Sequence, residues 1–288
     1  MKRTVRARAW KWLVCATVGV VLGANLCHAE DPRRVVSLAP SLTELVFALG
    51  AGERLVGVTA QCDEPPEARA LDRVGTFLTP NVELVVAKQP DLILAMPSPG
   101  NRRAVEALQR MGLRVVVLEP RTVGETRAAM VQVAELLGRR EVGESLARSF
   151  EERIARVRSA VQKTPAPRVL FLVGRNPLIV AGAAALQDEL IGLAGGVNIG
   201  ARAGSGWPRV DLEFVLAEAP EVVIDASMGS EAGQNGNFWA RFTELPAVRA
   251  GRVHASADSR LLRPGPRIPE AVELLARWLH PEAMAPAE

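Results

Sequence analysis

Residues 81–94 read Asn-Val-Glu-Leu-Val-Val-Ala-Lys-Gln-Pro-Asp-Leu-Ile-Leu, and residues 211–224 read Asp-Leu-Glu-Phe-Val-Leu-Ala-Glu-Ala-Pro-Glu-Val-Val-Ile. The two stretches correspond position by position and form an internal repeat. In each copy an Asn or Asp stands where a helix N-cap belongs, and a Glu follows near the positive end of the helix dipole. A Pro then ends the helix before a β-rich run. The repeat predicts two halves that are built alike.

Around each copy, short β-rich apolar runs alternate with helical patterns. This alternation is typical of parallel sheets covered by helices, and it predicts an α/β fold with two Rossmann-like lobes. Helices are expected at residues 43–49 and 102–111, the second ending at Gly112. Strands are expected at residues 35–38, 55–58, 91–95 and 114–118 in the first half and at 168–173, 178–180, 221–225 and 252–255 in the second.

A long helical pattern lies between the two halves. Residues 122–163 contain no proline, and Gly138 is the expected break. After this glycine the helix would be about 35 Å long at 1.5 Å per residue, enough to join two lobes as a rigid strut. We therefore predict an N-terminal lobe of residues 30–137, a linking helix of 138–164 and a C-terminal lobe of 165–288; an ordinary surface helix is the alternative. The apolar residues at helical spacing are Val142, Leu146, Phe150, Ile154, Val157 and Val161.

The N-terminus has the pattern of a secretory signal. Five cations without an acid precede an apolar stretch over residues 12–26, and Cys27-His28-Ala29 follows. This predicts a signal peptide of residues 1–29, cleaved after Ala29, and hence a periplasmic protein. A lipid anchor at Cys27 is the alternative, which Asn25 and Leu26 disfavour because small residues are expected there. No later segment approaches the roughly 20 apolar residues of a spanning helix, so we expect a soluble chain.

Charge and cysteine content argue against nucleic-acid binding and against an internal disulfide. Removing the five leader cations leaves 30 Lys and Arg against 32 Asp and Glu, a net charge near −2 instead of the +3 of the whole chain. Nucleic-acid binding normally needs a clustered basic face, so that class is set aside. Cys62 is the one cysteine after the leader, and a single thiol forms no internal disulfide. We interpret Cys62 as a small, partly buried residue.

The side-chain inventory argues against catalysis and against a resident metal or cofactor. After the leader only His254 and His280 remain, and the sequence lacks H-E-x-x-H, C-x-x-C and G-x-S-x-G. Zinc or manganese would need several converging ligands. Tyrosine, one common haem-iron ligand, is absent, which makes haem a minority interpretation. We predict no catalytic residues, no metal site and no cofactor.

Aromatic, apolar and arginine side chains instead stand in predicted loops after strands. In α/β proteins ligands bind at the carboxyl ends of strands, so these residues are candidates for a common cleft. Phe77 and Trp207 each precede one copy of the repeat, which would place one aromatic on each lobe. Packing of each side chain on its own lobe is the alternative. The candidates are Phe77, Met96, Arg175, Trp207, Ser259, Arg260, Leu261, Leu262 and Arg263.

Several motifs resemble a known family, the periplasmic cobalamin-binding proteins within the larger group that binds cobalamin, haem and ferric siderophores. The likeness covers essentially the whole chain after the leader. It implies two α/β lobes joined by a long helix, with a corrinoid in the cleft. It also implies that Glu83 and Glu213 dock onto arginines of an importer's membrane subunits. The motifs are residues 35–45 (VVSLAPSLTEL), 62–66 (CDEPP), the first repeat, 206–208 (GWP) and 263–267 (RPGPR).

The resemblance also implies which residues contact the ligand. The matching positions are Pro40, Ser41, Gln61, Phe77, Met96, Trp207 and the run from Ser259 to Arg263. Gln61 and Met96 replace family aromatics, and Cys62 lacks the disulfide partner found in some members. Met can still pack softly on a corrin face, whereas Gln61 cannot stack in that way.

The function predicted is that of a monomeric substrate-binding protein of an ABC-type importer, with cobalamin or a related corrinoid as ligand. A haem- or ferric-siderophore-binding protein on the same scaffold is the first alternative, because Arg175, Arg260 and Arg263 would suit an anionic chelate. An exported corrinoid-processing enzyme is the second, and it would need an acid–base pair that the sequence does not display.

Overall fold

The computed structural model describes residues 31–227 and 235–285. The predicted signal peptide, residues 1–29, lies outside the described residues, and so does the alternative lipid anchor at Cys27. Within the described part of the chain, no helix is both long enough and apolar enough to cross a membrane.

The first half contains a four-stranded, fully parallel sheet in the order β2-β1-β3-β4. Every residue of the two central strands, β1 and β3, is buried. Burial on both faces is the usual condition of a parallel sheet, which explains why these strands are continuously apolar. The strands are β1 (Val35–Ser37), β2 (Leu55–Val58), β3 (Leu92–Ala95) and β4 (Val115–Val117).

The second half contains a six-stranded mixed sheet. Its path is β10-β9-β5-β6-β8, with β7 beside β5. The pairs β5–β7, β5–β9 and β9–β10 are parallel, but β5–β6 and β6–β8 are antiparallel. The expectation of a parallel sheet is therefore wrong for this edge: only Asn176 and Pro177 separate β5 from β6, and so short a connection joins antiparallel strands. The strands are β5 (Arg168–Arg175), β6 (Leu178–Val180), β7 (Val197–Asn198), β8 (Arg209–Val210), β9 (Val222–Asp225) and β10 (Val253–Ala255).

Helices cover the sheets and confirm the predicted α/β fold class. The largest apolar cluster extends from one face of the first sheet, through the helices between the halves, to one face of the second sheet. Separate clusters cover the opposite faces. The helices are α1 (Pro40–Ala48), α2 (Val82–Ala87), α3 (Arg102–Arg110), α4 (Val123–Leu136), α5 (Arg140–Val161), α6 (Leu186–Leu193), α7 (Leu212–Glu218), α8 (Asn235–Ala240), α9 (Pro246–Arg249) and α10 (Ile268–Leu279).

The internal repeat is confirmed by the start and the end of its two helices. The Asn81 side chain accepts a hydrogen bond from the Leu84 amide at 3.0 Å, and the Asp211 side chain accepts one from the Phe214 amide at 2.8 Å. The residues before the two prolines, Gln89 and Ala219, have φ values of 47° and 41°. Both copies therefore leave the helix through the same left-handed backbone conformation.

Gly138 separates α4 from α5, as expected. Its φ is +64°, and a Cβ built there would lie within 2.4 Å of the Asp31 carboxylate. The buried stripe of α5 differs from the predicted one in its first two turns, because Val142 is 41% exposed whereas Gly143 is buried. A Cβ on Gly143 would meet the Cβ of Ala134 at 2.2 Å, so the absent side chain lets α4 and α5 approach closely.

The long helix α5 packs against α4 and α10. Its 22 residues make it roughly 33 Å long at 1.5 Å per residue. Its partners come from both halves of the chain, which agrees with a linking role. The division into residues 30–137, 138–164 and 165–288 stays a prediction.

Phe150→Ala should lower the free energy of unfolding by about 3–5 kcal/mol, because the ring is only 3% exposed and its removal leaves a cavity between elements of both halves. Urea unfolding followed by far-UV circular dichroism measures this change. The neighbouring exposed variant Ser149→Ala should stay within about 0.5 kcal/mol of the unsubstituted protein. Equal losses in the two variants would contradict the packing of α5.

Candidate ligand-binding cleft

Five predicted ligand-contact residues of the first half lie beyond the carboxyl ends of its strands. Pro40 and Ser41 begin α1 just after β1, Gln61 follows β2, and Met96 directly follows β3. Phe77 lies in the connection between β2 and α2. Carboxyl ends of parallel strands meet at one edge of a sheet, where α/β proteins bind ligands.

Side-chain hydrogen bonds join four of these residues in pairs. The Ser41 hydroxyl donates to the Met96 thioether sulfur at 3.0 Å, and the Phe77 amide donates to Gln61 Oε1 at 2.9 Å. Ser41 is 4% exposed, so its hydroxyl serves Met96 instead of facing open solvent. Phe77 and Met96 themselves are half-buried and keep surface for a ligand.

Asn101 is a residue of this region that sequence reasoning missed. Its side chain is fully buried, and its amide nitrogen donates to the carbonyls of Phe77 at 3.2 Å and Met96 at 2.9 Å. Its Oδ1 accepts from the Ser98 amide at 2.9 Å. An Asn immediately before a helical pattern has the signature of an ordinary N-cap, and this local signal conceals the longer-range contacts.

Arg175 ends β5 and binds a buried carboxylate. Its Nε and Nη2 both lie 2.9 Å from Asp225 Oδ2, and the side chains are 11% and 0% exposed. The indole of Trp239 donates to the same Asp225 oxygen at 2.8 Å. Asp225 escaped sequence reasoning because it stands at the end of an apolar strand without any motif around it.

The run from Ser259 to Arg263 begins with a 3-10 turn, Ser259–Leu261. Leu261 is fully buried and packs in the hydrophobic core, so its side chain exposes no surface; its contact with the ligand stays a prediction. The Arg260 side chain binds two carboxylates: its Nε donates to Asp258 Oδ2 at 2.9 Å, and its Nη1 donates to Glu270 Oε2 at 3.4 Å. The hydrogen bond from Arg260 is the largest cause of a lowered Asp258 pKa. Leu262 is half-buried.

An ion-pair cluster of Glu44, Asp63, Arg263 and Arg267 joins the two halves. Arg267 binds Glu44 through two hydrogen bonds, of 2.8 and 2.7 Å, while Arg263 Nη1 reaches Glu44 at 3.0 Å and Asp63 at 2.9 Å. The Glu44 side chain is only 5% exposed. Arg267 also donates to the Ser259 hydroxyl at 3.0 Å, so the cluster ties the turn of the second half to α1 of the first.

The cluster sets the charge state of Asp63. Burial alone would raise its pKa, but the hydrogen bond and the positive charge of Arg263 outweigh burial, and the pKa lies below its ordinary value. A carboxyl with a lowered pKa in the folded state stabilises the fold above its unfolded pKa, near pH 4, and this contribution is lost as the pH falls through the lowered value. The Asp63–Arg263 pair is therefore intact at neutral pH.

Arg263 Nη2 also donates to the Gln61 carbonyl at 3.3 Å. Contacts within the described residues thus bring together a connected set: Ser41, Gln61, Phe77, Met96, Ser259 and Arg263. Gly265 lies in close contact with Ser41, because a Cβ built on this glycine would be 3.1 Å from the Ser41 Cβ. The absent side chain therefore lets the two segments approach each other. No hydrogen bond within the described residues joins Trp207 to this set; it stands just before β8 in the second half and is 46% exposed. The Arg175 guanidinium instead binds the Asp225 carboxylate.

The histidines and the cysteine are held in structural positions. The His254 ring stacks on Trp278, with centroids 4.8 Å apart, and burial followed by the charge of Arg252 lowers its pKa. His280 lies 3.2 Å from the Gly195 carbonyl oxygen, and burial is the main cause of its lowered pKa. Cys62 is fully buried. In the two described segments, no group of three or more His, Cys, Asp or Glu residues is arranged to hold a metal ion.

Two α/β halves, a long helix that contacts elements of both, and several ligand-contact candidates joined across the halves are the features of a two-lobed binding protein. The model of the periplasmic binding protein family matches residues 35–258, and the chain belongs to this family. This match, together with the similarity to vitamin B12-binding proteins, confirms the resemblance noted from the motifs.

Individual relatives and solved structures extend this likeness. The chain is 31% identical to a vitamin B12-binding protein of Pectobacterium atrosepticum over 272 residues, covering 92% of this chain and 95% of the relative. It is similar to the periplasmic vitamin B12 binding protein BtuF of Vibrio cholerae, with a TM-score of 0.76, 32% identity and coverage of 86% and 97%. It is also similar to the apo periplasmic heme-binding protein RhuT from Roseiflexus sp. RS-1, with a TM-score of 0.79, 30% identity and coverage of 87% and 99%.

Glu44→Gln should lower the free energy of unfolding by about 3 kcal/mol, because it leaves two arginines facing a buried neutral amide. Urea unfolding at pH 7 measures the loss. Glu273→Gln is the matched control: Glu273 also binds an arginine through two hydrogen bonds, from Arg153, but its side chain is 26% exposed. The control should lose only about 1 kcal/mol. A loss at Glu44 no larger than at Glu273 would show that the cluster is energetically unimportant.

Proposed function

We propose that this protein captures cobalamin or a related corrinoid outside the cytoplasm and delivers it to an ABC-type importer, as a monomer without catalysis of its own. The observation that carries the proposal is the similarity to vitamin B12-binding proteins, which extends over nearly the whole chain and includes a solved structure. Family membership supports the general role of a periplasmic binding protein.

The side chains of the candidate cleft suit a large, flat, mainly apolar ligand. Phe77 and Met96 are half-buried at the carboxyl end of the first sheet, and Trp207 is 46% exposed on the second half. Aromatic faces and a polarisable thioether make favourable contacts with a macrocycle without requiring charge on it.

The charges near the cleft favour a ligand without strong negative charge. The three arginines that would suit an anionic chelate, Arg175, Arg260 and Arg263, are each bound to at least one carboxylate. An arginine already paired gives little net attraction to a second anion unless the first partner is released. This compensation argues against a ferric siderophore as the ligand.

Haem is the second candidate, favoured by the similarity to the heme-binding structure. Haem iron is commonly held by His, Cys, Met or Tyr. The sequence contains no Tyr, while His254 and His280 are engaged away from the connected set and Cys62 is buried. Among the described residues of the connected set, Met96 is then the candidate iron ligand, and its sulfur already accepts the Ser41 hydroxyl. These features support a corrinoid over haem.

Isothermal titration of the exported, processed protein should show one-to-one binding of cyanocobalamin, with no binding of haem or of a ferric siderophore. Phe77→Ala should weaken cobalamin binding by about tenfold, because an aromatic contact of about 1–1.5 kcal/mol is removed. Leu78→Ala, at the adjacent and 55% exposed position, is the control and should bind like the unsubstituted protein. Binding of haem or of a ferric siderophore in preference to cobalamin would contradict the proposed ligand, but it would leave the proposed role in transport intact.

Glu83 and Glu213 are proposed to dock onto arginines of the importer. Both are exposed, and both stand in the first turn of a helix whose N-cap side chain bonds to the third following amide. The repeat thus presents one carboxylate per half in the same local geometry. Exposed carboxylates of this kind can steer and orient association with a basic partner.

Reversing both charges, Glu83→Arg with Glu213→Arg, should abolish binding to the importer's membrane subunits in a pull-down at physiological salt, because opposed arginines repel. Cobalamin affinity should be unchanged. Glu141→Arg reverses an exposed first-turn glutamate of α5 and should retain importer binding. Retained binding by the double variant would exclude this docking role.

A further inference from the structure

We infer that Asn101, together with Gln61, is a positioning residue that holds Phe77 and Met96 in the orientation that receives the ligand. The inference rests on the proposed function, because it takes Phe77 and Met96 as ligand contacts. Asn101 is fully buried, so its side chain presents no surface to a ligand. It would affect binding through its hydrogen bonds to the Phe77 and Met96 carbonyls.

Side chains from two distant segments hold both polar backbone groups of Phe77. Its amide donates to Gln61 Oε1 at 2.9 Å, and its carbonyl accepts from Asn101 Nδ2 at 3.2 Å. Phe77 stands in a loop, outside any sheet ladder. Its backbone orientation, and with it the direction of the ring, therefore depends on these two amide side chains.

Met96 is held in a similar way at its carbonyl oxygen and at its thioether sulfur. Its carbonyl accepts from the same Asn101 Nδ2 at 2.9 Å, and its sulfur accepts from the Ser41 hydroxyl at 3.0 Å. One buried amide group thus donates to the backbone of both candidate ligand contacts, and it fixes the spacing between them.

The two loops also touch directly, which leaves little room for adjustment. A Cβ built on Gly100 would lie 2.7 Å from the Leu78 carbonyl oxygen and 3.2 Å from the Leu78 Cβ. Only glycine lets the chain before Asn101 pass so close to the residue after Phe77. Close packing and the Asn101 hydrogen bonds therefore lock the loop of residues 76–79 against the loop of residues 96–101.

The experiment measures cobalamin affinity and amide hydrogen exchange in the same variants. Asn101→Ala and Gln61→Ala should each weaken cobalamin binding by about five- to tenfold, the equivalent of one lost hydrogen bond or slightly more. In both variants the Phe77 amide should exchange faster than in the unsubstituted protein without any ligand present. Asn101→Asp keeps the acceptor for Ser98 but loses the donor, so it should behave like Asn101→Ala.

A double-mutant cycle separates positioning from general stability. If Asn101 acts through Phe77, the Asn101→Ala, Phe77→Ala double variant should lose less affinity than the product of the two single losses. A loss of affinity in the double variant equal to the product of the two single losses would overturn the inference. So would an Asn101→Ala variant in which both the cobalamin affinity and the exchange rate of the Phe77 amide are unchanged. Leu279→Ala removes a buried side chain near the start of the second sheet's central strands, and it should lower stability without changing affinity.

The outcomes distinguish this inference from the proposed function. Absence of cobalamin binding by the unsubstituted protein would overturn the proposed ligand, and the Phe77 exchange rates would still decide whether Asn101 positions the loop. If Asn101→Ala fails to fold, the exposed Gln61→Ala carries the same cycle with Phe77→Ala: positioning gives a double loss smaller than the product of the single losses, whereas an independent ligand contact of Gln61 gives the full product. Normal affinity in Gln61→Ala, with Phe77→Ala weakened, would then reject the positioning pair.

Discussion

The buried carboxylate of Glu44 is the constraint on which the relation between the two halves depends. A charged group that is 5% exposed is tolerated only when it is paired, and both of its partners, Arg263 and Arg267, come from the other end of the chain. The pairs join residues 219 and 223 positions apart. Because these bonds form only when the halves are folded and adjacent, they couple α1 to the turn that carries Ser259.

The same compensation of charge shapes the chemistry of the cleft. Arginines that look available in the sequence are bound to carboxylates in the structure, Arg175 to Asp225 and Arg260 to Asp258. Among the described residues, the three arginines predicted to contact the ligand therefore have their charges already neutralised. A corrinoid, which is recognised largely by contact with its macrocycle, fits this environment better than a polyanionic chelate.

The two halves are alike locally and different in their sheets. Both copies of the repeat begin with a capped helix and carry an exposed glutamate in its first turn. The first sheet is entirely parallel, whereas the second gains the antiparallel strands β6 and β8. A short helix and the strand after it are encoded by adjacent residues, whereas strand pairing depends on how the chain returns to the sheet.

The sequence by itself determined the α/β class, the eight longer strands, the repeat with its caps and the break at Gly138, because periodicity, capping and glycine conformation are local properties. Local patterns did not predict β7 and β8, which have two residues each. They also placed the buried residues in the first two turns of α5 one position early, because the close approach of α4 buries Gly143. Only the tertiary structure decided that Leu261 is core, that Arg263 is held by Glu44, and that Asn101 joins the Phe77 and Met96 loops. The Arg263–Glu44 and Asn101–Phe77 contacts join residues 219 and 24 positions apart, and the burial of Leu261 is imposed by packing, so no local pattern in the sequence encodes them.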